Sequence, residues 1–128
     1  MRISWLFLAS IAASPVAASD LCDKAVTTID INQCGQSEHQ IADKKLNAAY
    51  QAALKRIQSD LSDTQQRKDT KQGLVEAQRL FVQFRDKDCG AVYDLWRDGT
   101  IRGAMYWGCM IGHTEQRTKE LESFTLQE

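Results

Sequence analysis

Apolar residues are distributed along this chain in two ways. From Ile3 to Ala13 they form an almost unbroken run, interrupted only by Ser4 and Ser10, whereas beyond residue 40 they recur at steps of three and four. The second pattern is that of helices with one buried face. Ala42, Leu46, Ala49, Tyr50, Ala53, Leu54, Ile57 and Leu61 make one such stripe. Thr27-Thr28-Ile29-Asp30 upstream of it has the form of a capping box, which places the helix start there. Gly35 lies in the early turns and predicts a kink or break, since glycine in a helix costs about 1 kcal/mol relative to alanine. A polar break, Ser59 to Asp63, separates this stripe from a second one through Leu74, Ala77, Phe81, Phe84, Val92 and Leu95. That spacing predicts a second helix over Asp63 to Trp96. Arg97 to Gly103 reads as a turn, and Met105, Cys109, Thr114, Arg117, Leu121 and Phe124 suggest a third helix. No segment alternates as a strand would. The expectation is an all-α protein, an antiparallel bundle of about three helices in which the first two form a long hairpin.

The apolar run at the start is a different object. Met1-Arg2 supply a positive start and Pro15 to Ser19 supply small residues where a signal peptidase cleaves. Residues 1–18 are therefore expected to be a signal peptide and 19–128 the exported domain, periplasmic or secreted. The run is shorter than the roughly 20 residues of a membrane span. Ser19-Asp20-Leu21 does not resemble the small-residue box that precedes a lipidated cysteine, so Cys22 reads as unlipidated.

Export changes the reading of the four cysteines, Cys22, Cys34, Cys89 and Cys109, which become two disulfides and not a metal site. They contain no C-x-x-C pair. With turns centred near Leu61 and Gly99, all four gather at one end of the bundle, and that geometry leaves the pairing open. Sequential pairing, Cys22 with Cys34 and Cys89 with Cys109, is preferred because each closes a short loop and pins one helix end.

Charge excludes more than it suggests. The 16 basic and 17 acidic residues give a net charge of −1, or −2 once Arg2 leaves with the signal peptide, and no basic block marks a nucleic-acid partner. No zinc, nucleophile or phosphate-loop motif is present, so no cofactor is expected. His39 stands in the polar stretch Gln36 to Gln40 and reads as solvent-facing, and His113 lies in no motif. Asp86 and Asp88 are close in sequence, but a slim helical hairpin offers no cleft in which two carboxyl groups could flank a bond. A non-catalytic protein is the expectation. Polar residues near the apolar stripes, Asp43, Asn47, Tyr50, Gln78, Arg79, Arg85, Asp86, Thr114 and Arg117, predict an inter-helix network in which Asp43 or Asp86 faces Arg85 or Arg117.

Several of these residues also stand in a recognisable order. Cys22, Cys34, Ala42-Asp43, Leu46-Asn47, Tyr50, Ala77-Gln78-Arg79, Phe84-Arg85-Asp86, Cys89, Cys109, Thr114, Arg117 and Leu121 resemble the pattern of the lysozyme inhibitor LprI family of small exported bacterial proteins. Phe81 stands where that family commonly has tryptophan, and the segment Gly99 to Gly103 is altered. The resemblance implies an all-helical secreted protein with a protein partner, lysozyme. A binding group would then be sought in the turn Asp98 to Gly103, where Arg102 could pair with the two carboxyl groups of a lysozyme cleft, beside Tyr106 and Trp107 as aromatic anchors. The competing expectation is an envelope adaptor that binds another periplasmic protein or cell-wall fragments.

Overall fold

The computed structural model describes residues 18–125, so the signal-peptide reading lies outside the described residues. Four helices follow one another: α1 (Ala18–Asp23), α2 (Thr28–Asp60), α3 (Thr64–Leu95) and α4 (Arg102–Glu122), with no strand among the described residues. Disulfides join Cys22 to Cys34 and Cys89 to Cys109. Short α1 was not expected, and the first bridge clips it onto α2. None of the helices is long and apolar enough to cross a membrane.

Local signals account for the boundaries. Thr27 and Asp30 close the reciprocal capping box, each side chain bonding the other residue's backbone N–H, at 3.2 and 3.0 Å. The Thr27 N–H first, then the Thr27 hydroxyl and the Val26 N–H, hold the Asp30 carboxyl below its ordinary pKa. Asp63 caps α3 by accepting from the Gln66 N–H at 2.7 Å. Two arginines satisfy carbonyls left free at helix ends: Arg67 donates to Leu61 O at 2.7 Å, and Arg56 donates to Leu121 O at 2.6 Å and to Phe124 O at 3.2 Å. Phe124 thus lies beyond α4, not within it.

The core is built around α4. Leu46, Ala49, Ala53, Ile57, Leu61, Leu74 and Leu121 form the buried cluster, with Tyr50, Leu54 and Phe81 packed against it. α4 packs chiefly on α2 and next on α3, while α2 and α3 touch least, so the expected α2–α3 hairpin is not the principal contact. α4 runs parallel to α2, placing Gly103 beside Asn32, Trp107 beside Gly35 and Leu121 beside Arg56.

Gly35 therefore has another role than the expected break. α2 continues through it, and a Cβ at Gly35 would lie 2.7 Å from the Trp107 Cβ, so the missing side chain is what lets α4 come this close. Gly103, expected in a flexible turn, is inside α4 with the Asn32 carboxamide over it. His39 is not solvent-facing either: its ring packs on Trp107 at 5.7 Å and its Nε2 is buried without a protein partner. Burial, and then the Arg85 cation, push its pKa below the ordinary value, against the smaller opposing pull of Asp43 and Asp86.

Further along the seam, Arg85 ties three helices together. Its guanidinium, 7% exposed, donates to Asp43 of α2 at 3.0 Å, Asp86 of α3 at 3.2 Å and the fully buried Thr114 hydroxyl of α4 at 3.1 Å. The Thr114 hydroxyl in turn donates to Met110 O at 2.7 Å. Arg117 donates to Gln78 at 3.1 Å and pairs with Glu120, and both guanidinium groups lie about 6 Å from the Phe81 ring, at 5.9 and 5.8 Å. Three residues expected in this network lie outside it, and one of them, Tyr50, packs against the apolar cluster with no side-chain hydrogen bond among the described residues. Asn47 is exposed on α2, and Arg79, 66% exposed, reaches only Glu76.

Three outcomes follow from this packing. Gly35→Ala forces Trp107 to move and costs about 1–3 kcal/mol, whereas Gly73→Ala, with nothing within 4 Å of the new methyl group, gains about 0.5–1 kcal/mol; urea unfolding of the pair reads opposite signs. Asp43→Ala removes one of the two carboxylates on a buried guanidinium that keeps Asp86 and Thr114, and costs about 1–3 kcal/mol, while Asn47→Ala, one turn away, stays within about 0.5 kcal/mol. His39 is kept neutral by the fold, so the unfolded chain binds its proton first. Its contribution to stability is present above about pH 6.5 and is lost as pH falls below that. Below about pH 6.5, His39→Gln should flatten the decline of the urea midpoint; an unchanged slope would contradict the assignment.

Candidate functional site

Where α2 begins and α3 ends, the bundle opens. The two helices diverge there and α4 starts between them, leaving a groove of about 740 Å³, within the usual range of ligand and side-chain pockets. Ile29, Asn32 and Gln36 of α2 form one wall, Tyr93 of α3 the other, and Arg102, Tyr106 and Trp107 line it from α4. A second hollow at the opposite end, beside Arg56, Ile57, Leu61 and Phe124, is only about 130 Å³.

The three residues singled out as a binding group are thus brought together in one groove, though from a helix and not from a loop. Arg102 is the first residue of α4, and the connection preceding it is Trp96 to Ile101. Helical spacing aims Arg102 and Tyr106, four residues apart, along one face. Arg102 lies over the Tyr93 ring at 4.5 Å, Tyr93 meets Tyr106 edge-to-face at 6.0 Å, and Tyr106 meets Trp107 at 4.9 Å. Sequence reasoning missed Tyr93 and Asn32, which sit on unremarkable stretches of α3 and α2. Asn32 Oδ1 is buried beside the groove without a protein partner.

Arg102 differs from the other buried or half-buried arginines in having no hydrogen-bond acceptor among the described residues, whereas Arg56 and Arg67 donate to backbone carbonyls. Arg85 and Arg117 each hold a carboxylate, and Arg102 pairs with none among the described residues. The first turn of α4 carries no acidic residue, and Ile101 offers it no side-chain cap. The guanidinium is held in place by an aromatic face, a contact that leaves its N–H groups free for an anion. Around it, residues 20–36 and 89–108 carry five carboxylates, Asp20, Asp23, Asp30, Asp94 and Asp98, against three cations, Lys24, Arg97 and Arg102. Val26, Ile29, Leu95, Ile101 and Met105 expose apolar surface at the same end. Both disulfides lie here. Cys89 and Cys109 tie α3 to α4 about one turn from Tyr93 and Tyr106, so the bridge holds the α3 and α4 sides of the groove at a set spacing.

The remaining titratable pair of this end is His113 and Asp88, whose Nε2 and Oδ2 are 2.7 Å apart beside the second bridge. No pair of carboxyl groups faces across the groove, whose lining supplies amides, aromatic rings and one guanidinium. Such a lining suits binding.

The family model described as Lysozyme inhibitor LprI matches residues 22–121, from the first cysteine to the last buried leucine. The chain is 30% identical over 105 residues to the uncharacterized protein R02472 of Rhizobium meliloti (strain 1021), covering 79% of this chain and 76% of that protein. No solved structure matches. With most of its length matched, and with the four cysteines paired within a wholly helical bundle, the chain belongs to the lysozyme inhibitor LprI family.

Proposed function

We propose that this chain is an exported protein that binds and inhibits lysozyme, and that it does so with the groove end of the bundle. Family membership supports the activity. The observation that carries the site is Arg102, a guanidinium propped on Tyr93 at the lip of a groove with no carboxylate of its own. Lysozymes work with two carboxyl groups in a cleft. A guanidinium already oriented and short of a partner can enter such a cleft without first breaking an internal ion pair. Tyr106 and Trp107 sit beside it as the rigid aromatic contacts that dominate binding energy at protein interfaces. The excess of carboxylates around the groove favours encounter with a basic enzyme, and the apolar side chains exposed around it supply area to bury.

The direct test is the lysis of cell-wall suspensions by lysozymes of several classes with the purified protein at micromolar concentration. Inhibition is expected for at least one class. Arg102→Ala should weaken it about 30-fold, the equivalent of a 2 kcal/mol hot spot, with the melting temperature nearly unchanged. Arg102→Glu should weaken it further. Unchanged lysis throughout, together with a periplasmic partner retained in a pull-down that retains no lysozyme, would favour an adaptor role instead. An Arg85→Ala protein that melts like the wild type and no longer binds would move the site away from the groove.

A further inference from the structure

The second disulfide has two neighbours that the bundle itself does not require. Asp88 precedes Cys89 on α3, and His113 follows Cys109 by one turn on α4. Antiparallel packing of these two helices directs all four side chains toward one point. One ligand atom from each, a carboxylate oxygen, an imidazole nitrogen and both Sγ atoms, lies within 4.8 Å of every other. His113 Nε2 is 2.7 Å from Asp88 Oδ2, and the Phe84 ring stands edge-to-face on the imidazole at 5.3 Å, which orients it. Asp88 Oδ2 is also 3.9 Å from the Cys109 Sγ.

Two sulfurs, one imidazole and one carboxylate are donors that zinc accepts in tetrahedral geometry. With bonds of about 2.0–2.3 Å, its ligand atoms stand roughly 3.3–3.8 Å apart. The cluster is close to that size already. In the bridged protein the sulfurs are bonded to one another and neither is a thiolate, so the four groups are not a metal site in that state. We propose that the dithiol form of this protein binds one Zn²⁺ through Asp88, Cys89, Cys109 and His113, so that the same residues staple α3 to α4 by a covalent bond when oxidised and by a metal when reduced. The conversion balances simply. A phosphine or dithiol reductant delivers two electrons to the Sγ–Sγ bond and is itself oxidised, each sulfur takes a proton, and the metal displaces both protons on binding. With the two Cα atoms 5.6 Å apart, the sulfurs can separate to ligand spacing by rotation about the side chains, without moving the helices.

The first bridge does not offer the same set. Among the described residues, Cys22 and Cys34 have only Glu38 within the same reach and no imidazole. Selectivity between the two bridges is therefore part of the proposal. Its consequence lies in the groove, because Tyr93 is one turn beyond Cys89 and Tyr106 is nearly one turn before Cys109. A metal at this point keeps the two walls joined under reducing conditions.

The test uses the full-length domain carrying Cys22→Ser and Cys34→Ser, reduced with a phosphine, freed of reductant without air and titrated with Co²⁺. One equivalent should produce the intense visible bands of tetrahedral cobalt with sulfur-to-metal charge transfer. One equivalent of Zn²⁺ should then bleach them and raise the melting temperature read by circular dichroism. The same variant left oxidised should give no such bands. His113→Ala should weaken the metal by about tenfold or more, since loss even of an outer-shell partner costs about 10–100-fold, while its oxidised form keeps its helical signal. Reduced protein that takes up no cobalt at tens of micromolar, or that binds it without charge-transfer bands, overturns the proposal; so does His113→Ala with unchanged affinity. Should the reduced variant lose its helical signal, zinc must restore it, and failure to do so also overturns the assignment.

Discussion

One buried guanidinium, that of Arg85, constrains the rest of this bundle. It meets a carboxylate of α2, a carboxylate of its own helix and a hydroxyl of α4, so the rotation of each long helix about its axis is set at one level. A cation taken out of water is stable only while its hydrogen bonds are met, and slippage of any helix by one residue would break that condition. The two carboxylates remain half in solvent, which lowers the desolvation cost of the arrangement. On one side of this level lies the leucine-rich core, closed by Arg56 and Arg67 over the helix ends. On the other side apolar packing is thinner. There Trp107 lies across Gly35, His39 contributes a neutral ring, and covalent bridges take over what core burial cannot supply.

That division explains why the groove lies at the bridged end. Helices that diverge expose backbone and apolar surface, and a domain of this size has little core energy with which to hold them. Two disulfides restrain the open end instead, typically worth about 2–4 kcal/mol each, and the side chains between them are freed from a packing role. Arg102, Tyr93 and Tyr106 hold one another in place without being buried. Such mutual support keeps these side chains in fixed orientations without a packed core around them. The bundle thus keeps its leucine-rich core and its groove at different levels along its axis.

Much of this was legible in the chain. Steps of three and four at Ala42, Leu46, Ala49, Ala53 and Ile57 reach the core because a helix presents those positions on one face whatever it packs against. Thr27 and Asp63 start their helices because capping is local, and sequential pairing of the cysteines follows from short loops. Cysteine spacing and turn positions also sufficed to gather both bridges at one end. Tertiary contacts decided the rest. The parallel run of α4 along α2, the close approach at Gly35 and Gly103, the burial of His39 and the placing of Asn32 in the groove with Arg102 depend on faces brought together over separations of more than fifty residues, and Tyr93 meets Arg102 across the α3–α4 turn. Asn47 and Arg79 lie next to stripe residues in sequence yet point to water, because on a helix one position is a rotation of about 100°. Local periodicity states which residues share a face, and only the packed bundle states what that face meets.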